Sequence, residues 1–116
     1  MDLKSIKTEM DVVEALKGKT KFEKDVLVAA FRIPKGKVST YKRVAEKIGR
    51  PNAYRAVANA LHKNPLCPVV PCYRVVNSDG SFGGPIKGAK ERRSMVVKEG
   101  IPVKNGKVEI TREILY

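Results

Sequence analysis

The stretch STYKRVAEKIGRPNAYRAVANALH, residues 39–62, decides the fold. Ser39 or Thr40 can accept hydrogen bonds from the free amides that open a helix, and Val44, Ala45 and Ile48 then share one face of it. Gly49-Arg50-Pro51-Asn52 makes a tight turn, and another helix starts directly after it. Its apolar positions Ala53, Ala56, Val57, Ala60 and Leu61 recur at three- and four-residue intervals, leaving Arg55, Asn59 and His62 on other faces. Asn64-Pro65 stops it, because the residue before proline is pushed out of the helical region. Two short helices joined by a glycine-containing turn make a helix-turn-helix, which either reads DNA or serves as a structural corner.

Upstream, Thr20-Lys21-Phe22-Glu23 reads as a capping box, with Phe22, Val26, Leu27, Ala30 and Phe31 following at helical spacing until Pro34-Lys35-Gly36. Residues 1–19 read as a short helical extension with Val12, Val13 and Leu16 apolar and Gly18 as its stop. Downstream, the prolines and β-branched residues of 69–76 predict an extended segment, closed by the turn Asn77-Ser78-Asp79-Gly80, that brings Cys72 near the helix of residues 53–62. Residues 83–88 read as a loop, and a final helix follows over 89–99 with Gly100 at its end. Ile101-Pro102-Val103-Lys104 and Lys107-Val108-Glu109-Ile110 flank Asn105-Gly106, a strong short hairpin signal. The expected fold is mainly α (α+β): a winged helix-turn-helix domain over 20–116 with a small C-terminal β-hairpin, and 1–19 as an N-terminal extension.

At 116 residues the chain is sized for one modest core. Twenty-four Lys and Arg against 12 Asp and Glu give a formal charge of +12, whose self-repulsion points to a polyanionic partner, nucleic acid first. The basic residues are spread along the chain and form no amphipathic membrane helix, and no apolar run is long enough to span a bilayer. The N-terminus lacks a signal-peptide core, so the expectation is an intracellular, cytoplasmic and nucleoid-associated protein with reduced thiols and no membrane partner. Two cysteines and one histidine fall short of a zinc site, so no metal and no cofactor are expected.

Those cysteines, Cys67 and Cys72, lie among prolines. Pro71 restricts the backbone just ahead of Cys72, and Arg74 supplies a nearby positive charge that favours thiolate, which makes Cys72 a candidate nucleophile. A cysteine set among valines also serves as a small buried hydrophobe, and the residues alone leave both readings open. Pro68 and Pro71 stiffen the segment toward extended geometry, which disfavours a Cys67–Cys72 disulfide.

Thr40-Tyr41, Arg55-Ala56-Val57, Asn64-Pro65, Pro71-Cys72-Tyr73-Arg74-Val75-Val76 and Lys98-Glu99-Gly100 occur in an order and spacing that resembles the C-terminal domain of the O6-alkylguanine-DNA alkyltransferases, from about Thr20 to Gly100. The resemblance implies a suicide repair protein that binds duplex DNA as a monomer, flips an alkylated guanine out of the stack and moves the alkyl group irreversibly to Cys72, with O4-alkylthymine as a further substrate. By the same resemblance Tyr41 bonds the guanine ring and helps rotate the phosphate, Arg55 fills the gap left by the flipped base, and Asn64 fixes the turn before the active site. Ser78 contacts a phosphate, and Tyr54, Asn59 and Arg74 join the DNA-binding set. The carbonyls of Cys72 and Val75 read the guanine amino group, and a backbone N–H near Ile86 contacts O6.

The chain departs from this pattern in three places. Tyr73 replaces the motif's histidine, while Glu99 matches the glutamate that pairs with it. A phenol titrates near ~10 and accepts a proton less readily than imidazole at neutral pH. Pro85-Ile86-Lys87 replaces the substrate loop's Tyr-Ser-Gly, and Tyr54 replaces a small residue on the recognition helix. Two other readings remain. An alkyltransferase-like protein recognises lesions without transfer and carries tryptophan at the cysteine's position. A winged-helix regulator reads the major groove and needs no thiol.

Overall fold

The computed structural model describes residues 3–84 and 88–116. Its helices are α1 (Glu9–Ala15), α2 (Lys21–Phe31), α3 (Tyr41–Lys47), α4 (Tyr54–His62) and α5 (Ala89–Lys98). They are joined by short strands β1 (Ser39–Thr40), β2 (Val75–Val76), β3 (Val103–Lys104) and β4 (Lys107–Val108) and by 3-10 turns at Leu3–Ser5 and Cys72–Arg74. The architecture is the expected mixed one, helices with a small hairpin.

The helices start where side chains can cap them. Thr40 settles the alternative left open with Ser39: its Oγ1 accepts from the Arg43 amide at 3.1 Å, while the buried Ser39 hydroxyl donates to the Tyr116 carbonyl at 3.3 Å. At Thr20 only half of the expected box forms. Its Oγ1 accepts from the Glu23 amide, but the Glu23 carboxylate takes the threonine hydroxyl proton instead of the backbone amide. The reciprocal box occurs at Thr8 and Asp11, where Asp11 Oδ2 accepts from the Thr8 amide at 3.0 Å.

Two cores form. Val26, Leu27 and Ala30 of α2 pack with Val44, Ala45, Val57 and Leu61 of the helix-turn-helix. The N-terminal segment joins the same core through Ile6, Val12 and Leu16. Of the apolar positions expected in that segment, Val13 instead faces outward at 44% exposure. On α4, Val57, Ala60 and Leu61 are buried as expected, whereas Ala56 is exposed and shares the outer face with Tyr54, Arg55 and Asn59. The second core joins Val38, Tyr73 and Val76 to Val96, Ile101 and Val108.

The expectation of an extended segment over 69–76 fails. Residues 65–70 form successive turns with the Cys67–Pro68 bond cis, Cys72–Arg74 is a 3-10 turn, and only Val75–Val76 is strand. The Asn64 side chain imposes this path: its Nδ2 donates to the Val70 carbonyl at 2.8 Å and its Oδ1 accepts from the Leu66 amide at 2.9 Å. These bonds satisfy turn amides and carbonyls that an isolated strand would leave open. The hairpin forms around Asn105 and Gly106, both at positive φ, which a two-residue hairpin turn of this kind requires.

Candidate functional site

One short ladder assembles the site. β1 and β2 pair in parallel, Ser39 with Val75 and Thr40 with Val76. β1 runs directly into Tyr41, the first residue of α3, and β2 follows directly on the turn that begins at Cys72. Two ladder rungs therefore set the entry of the helix-turn-helix beside the cysteine turn. Tyr41 is buried at 7% exposure, and its phenol feels the charges of Arg92 and Cys72. Burial outweighs the Arg92 charge and raises the Tyr41 pKa, so the hydroxyl keeps its proton.

Cys72 is partly buried and its thiol sits well below the ordinary thiol value. The largest cause is a hydrogen bond with Cys67; the Asn64 side chain and the Arg92 charge act in the same direction, against the opposing effect of burial. Cys67 moves the other way, held up chiefly by the same bond with Cys72. The pair therefore divides into a donor thiol and an acceptor with thiolate character. Both cysteines are free of disulfides.

Arg74 lies elsewhere than the sequence suggests. Its Nε and Nη2 grip the Glu99 carboxylate at 2.9 and 2.7 Å, and its Nη1 donates to the Ile33 carbonyl at 2.7 Å. The guanidinium is committed to these partners, and among the described residues the cation acting on Cys72 is Arg92. Tyr73 is buried and donates directly to Glu99 Oε2 at 2.8 Å. Burial and that hydrogen bond push its phenol up to about 12, so it cannot act as a base near neutral pH.

Tyr41, Tyr54, Arg55 and Ser78 line one cleft of about 670 Å³ together with Asn52 and Asn77. Arg55 and Tyr54 project from the exposed face of α4 and Ser78 from the turn after β2. Asn59 lies outside this cleft, on a shallow groove shared with Phe22 and Lys63. Val75 is buried in β2 beside the cysteine turn, and Ile86 lies outside the described residues. A larger cleft of about 740 Å³, lined by Lys21, Val28 and Tyr116 among others, contains none of the sequence-selected site residues. No cluster of His, Cys, Asp and Glu able to hold a metal occurs among the described residues, and no described helix is long and apolar enough to cross a membrane.

Sequence reasoning missed three participants: Cys67, Arg92 and His62. His62 Nε2 lies 3.3 Å from the Tyr41 hydroxyl, with the rings edge-on at 5.9 Å between centroids. The Gly83-Gly84 pair lies against both side chains. A Cβ at Gly83 would stand 2.6 Å from Tyr41 Oη, and one at Gly84, where φ is +83°, would stand 2.6 Å from His62 Nε2. Adjacent glycines are the sequence signal that could have found this contact.

Residues 21–101 match the family described as 6-O-methylguanine DNA methyltransferase, DNA binding domain. A methylated-DNA–protein-cysteine methyltransferase of Methanosarcina barkeri is 46% identical over 69 residues, which cover 60% of this chain and 44% of that protein. One from Salmonella typhimurium is 37% identical over 91 residues, covering 78% and 53%. The chain thus spans about half the length of these curated relatives. Among solved structures, S. pombe ATL in complex with damaged DNA containing O6-carboxymethylguanine superposes with a TM-score of 0.74 at 28% identity, covering 83% of this chain and 94% of that one. Mycobacterium tuberculosis OGT in complex with DNA gives 0.66 at 36% identity, covering 69% and 50%. The matched segment takes in α2 through α5, both sides of the ladder and Cys72, and the chain belongs to the O6-methylguanine DNA methyltransferase family, of which it carries the DNA-binding domain.

Proposed function

We propose that this protein repairs DNA by stoichiometric transfer of the alkyl group from O6-alkylguanine, and from O4-alkylthymine, to Cys72 after flipping the base out of the duplex. The observation that carries the reading is the Cys72 thiol, loosened by Cys67 and Arg92 and set by the β1–β2 ladder against Tyr41. An alkyl carbon on oxygen calls for a soft, in-line nucleophile. Sγ forms a bond to that carbon as the O6–carbon bond breaks. The bonding pair leaves on the guanine, and the Tyr41 hydroxyl, which keeps its proton, stabilises the charge by donating to the ring.

The remaining assignments follow the family resemblance, and Tyr54, Arg55 and Ser78 line one cleft with Tyr41. Arg55 enters the stack, since a planar cation can both stack and hydrogen-bond where the base has left. Ser78 takes a phosphate, and Tyr54 and Asn59 contact the duplex from α4. The carbonyls of Cys72 and Val75 read the guanine amino group, with a backbone N–H near Ile86 at O6. Asn64 holds the chain path into the turn that aims Cys72, while Glu99 anchors that turn through its Tyr73 and Arg74. In this reading 20–116 is the catalytic, DNA-binding domain, 1–19 its extension, and the protein works as a monomer on chromosomal DNA inside the cell.

The likeness to S. pombe ATL, which covers 94% of that chain, favours a second reading in which the protein binds lesions without transfer. Weighing the intact protein after incubation with a duplex containing O6-methylguanine separates the two. A gain of one methyl group per chain supports transfer; lesion-selective binding with unchanged mass supports recognition alone.

A further inference from the structure

We propose that His62 is a positioning residue for Tyr41: its Nε2–H donates to the phenol oxygen and leaves the single hydroxyl proton of Tyr41 for the flipped base. This deepens the proposed function and rests on it.

A phenol has one proton to give. If His62 Nε2 accepted it, Tyr41 would have none to offer the departing guanine. If Nε2–H donates instead, the imidazole occupies a lone pair of the phenol oxygen and the proton points elsewhere. The contact is 3.3 Å, with an interplanar angle of 75°, and the Nε2 edge of the imidazole is closed in by Gly84. Gly83 presents no side chain to the hydroxyl, so the loop approaches without supplying a competing polar group from that residue. Among the described residues Arg92, from α5, is the charged group that acts on both rings, and Cys72, on the turn after which β2 pairs with β1, also acts on the Tyr41 phenol.

The Nε2–H is present in the commoner neutral tautomer of histidine and in imidazolium alike. The role is therefore one of orientation and does not depend on the charge of His62. Burial and Arg92 both disfavour that charge, which suits a hydrogen-bond donor that holds its partner without supplying the reaction's proton.

The test is single-turnover methyl transfer from an O6-methylguanine duplex by the full chain. His62→Ala should slow the transfer step on the order of tenfold, the cost of one lost hydrogen bond to the reacting group, with affinity for undamaged duplex unchanged. His62→Gln, whose side-chain N–H can replace the donor, should recover most of the rate. In a Tyr41→Phe background His62→Ala should cause no further loss. A wild-type rate in His62→Ala, an equal loss in undamaged-duplex affinity, or a full additional loss beside Tyr41→Phe would overturn the proposal.

NMR of the DNA-free protein reads the contact independently of transfer. A donating Nε2–H favours phenolate, so His62→Ala should raise the Tyr41 pKa; an accepting Nε2 would make the same change lower it. If the wild-type protein transfers no methyl group the repair reading fails, while the Tyr41 titration still decides for or against the hydrogen-bond direction.

Discussion

The Tyr73 hydroxyl donates to Glu99 Oε2 at 2.8 Å, on a carboxylate that Arg74 also holds at 2.7 Å. The phenol that stands where the family motif has histidine is thus committed to a buried ion pair. Tyr73→Phe should leave methyl transfer within about twofold of wild type and cost about 2 kcal/mol of stability, the value of a hydrogen bond to a charged group. Denaturant unfolding together with single-turnover kinetics checks both halves. A large loss of transfer at unchanged stability would return Tyr73 to the reaction itself.

In the proposed reaction the activation of Cys72 falls instead to Cys67, whose thiol makes the largest contribution to lowering the Cys72 pKa. Cys67→Ala removes that donor, so the Cys72 pKa should rise toward the ordinary thiol value. The sign follows: transfer slows at and below neutral pH, where the variant's thiolate becomes scarce, and converges on wild type in alkali, where Cys72 is ionised in both proteins. A pH–rate profile for the two proteins displays the shift, and superimposable profiles would remove Cys67 from the mechanism.

Glu99 balances a buried cation, with side-chain exposures of 14% for Arg74 and 9% for Glu99. Glu99→Gln leaves Arg74 without its counter-charge and should destabilise the fold by about 3 kcal/mol. Burial opposes ionisation of Glu99, but the bonds from Arg74, Tyr73 and the Gly36 amide outweigh it and lower the pKa. The stability from this shift is complete above the ordinary carboxylate value and is lost as pH falls through the lowered one. Acid unfolding should therefore lose that component in Glu99→Gln.

Arg55 is exposed on α4 at the cleft it shares with Tyr41 and Ser78. As an intrahelical wedge it should matter more for transfer than for binding undamaged duplex, to which many phosphate contacts contribute. Arg55→Ala should slow transfer at least about tenfold while weakening undamaged-duplex binding only about twofold to threefold. Equal losses in the two would make it an ordinary phosphate contact.

The helix-turn-helix was legible because its signals are local. Val57, Ala60 and Leu61 repeat at helical spacing, Thr40 caps, and Gly49 turns the chain at positive φ. The segment 69–76 was not, because β-branched residues and prolines fit both a strand and a run of tight turns. The choice between them is made by Asn64 bonding to Val70 and Leu66. Tyr41, Arg55 and Ser78 could be chosen by motif. Arg92 carries no local signal that marks it off from the other basic residues of α5, and His62 reads as an outward face of α4; the fold brings His62 against Tyr41 and the Arg92 charge to bear on both. Arg74 was misjudged for the converse reason: sequence proximity to Cys72 does not reveal that Glu99 and Ile33 turn its guanidinium inward.

Peptide mass mapping after reaction with an O6-methylguanine duplex tests the central claim most directly, because the two free thiols shift each other's pKa in opposite directions and only Cys72 is drawn toward thiolate. The predicted result is one methyl group, on Cys72, with none on Cys67 and none on a Cys72→Ser variant. A methyl group on Cys67, or an unmodified protein that still binds the lesion selectively, would contradict it.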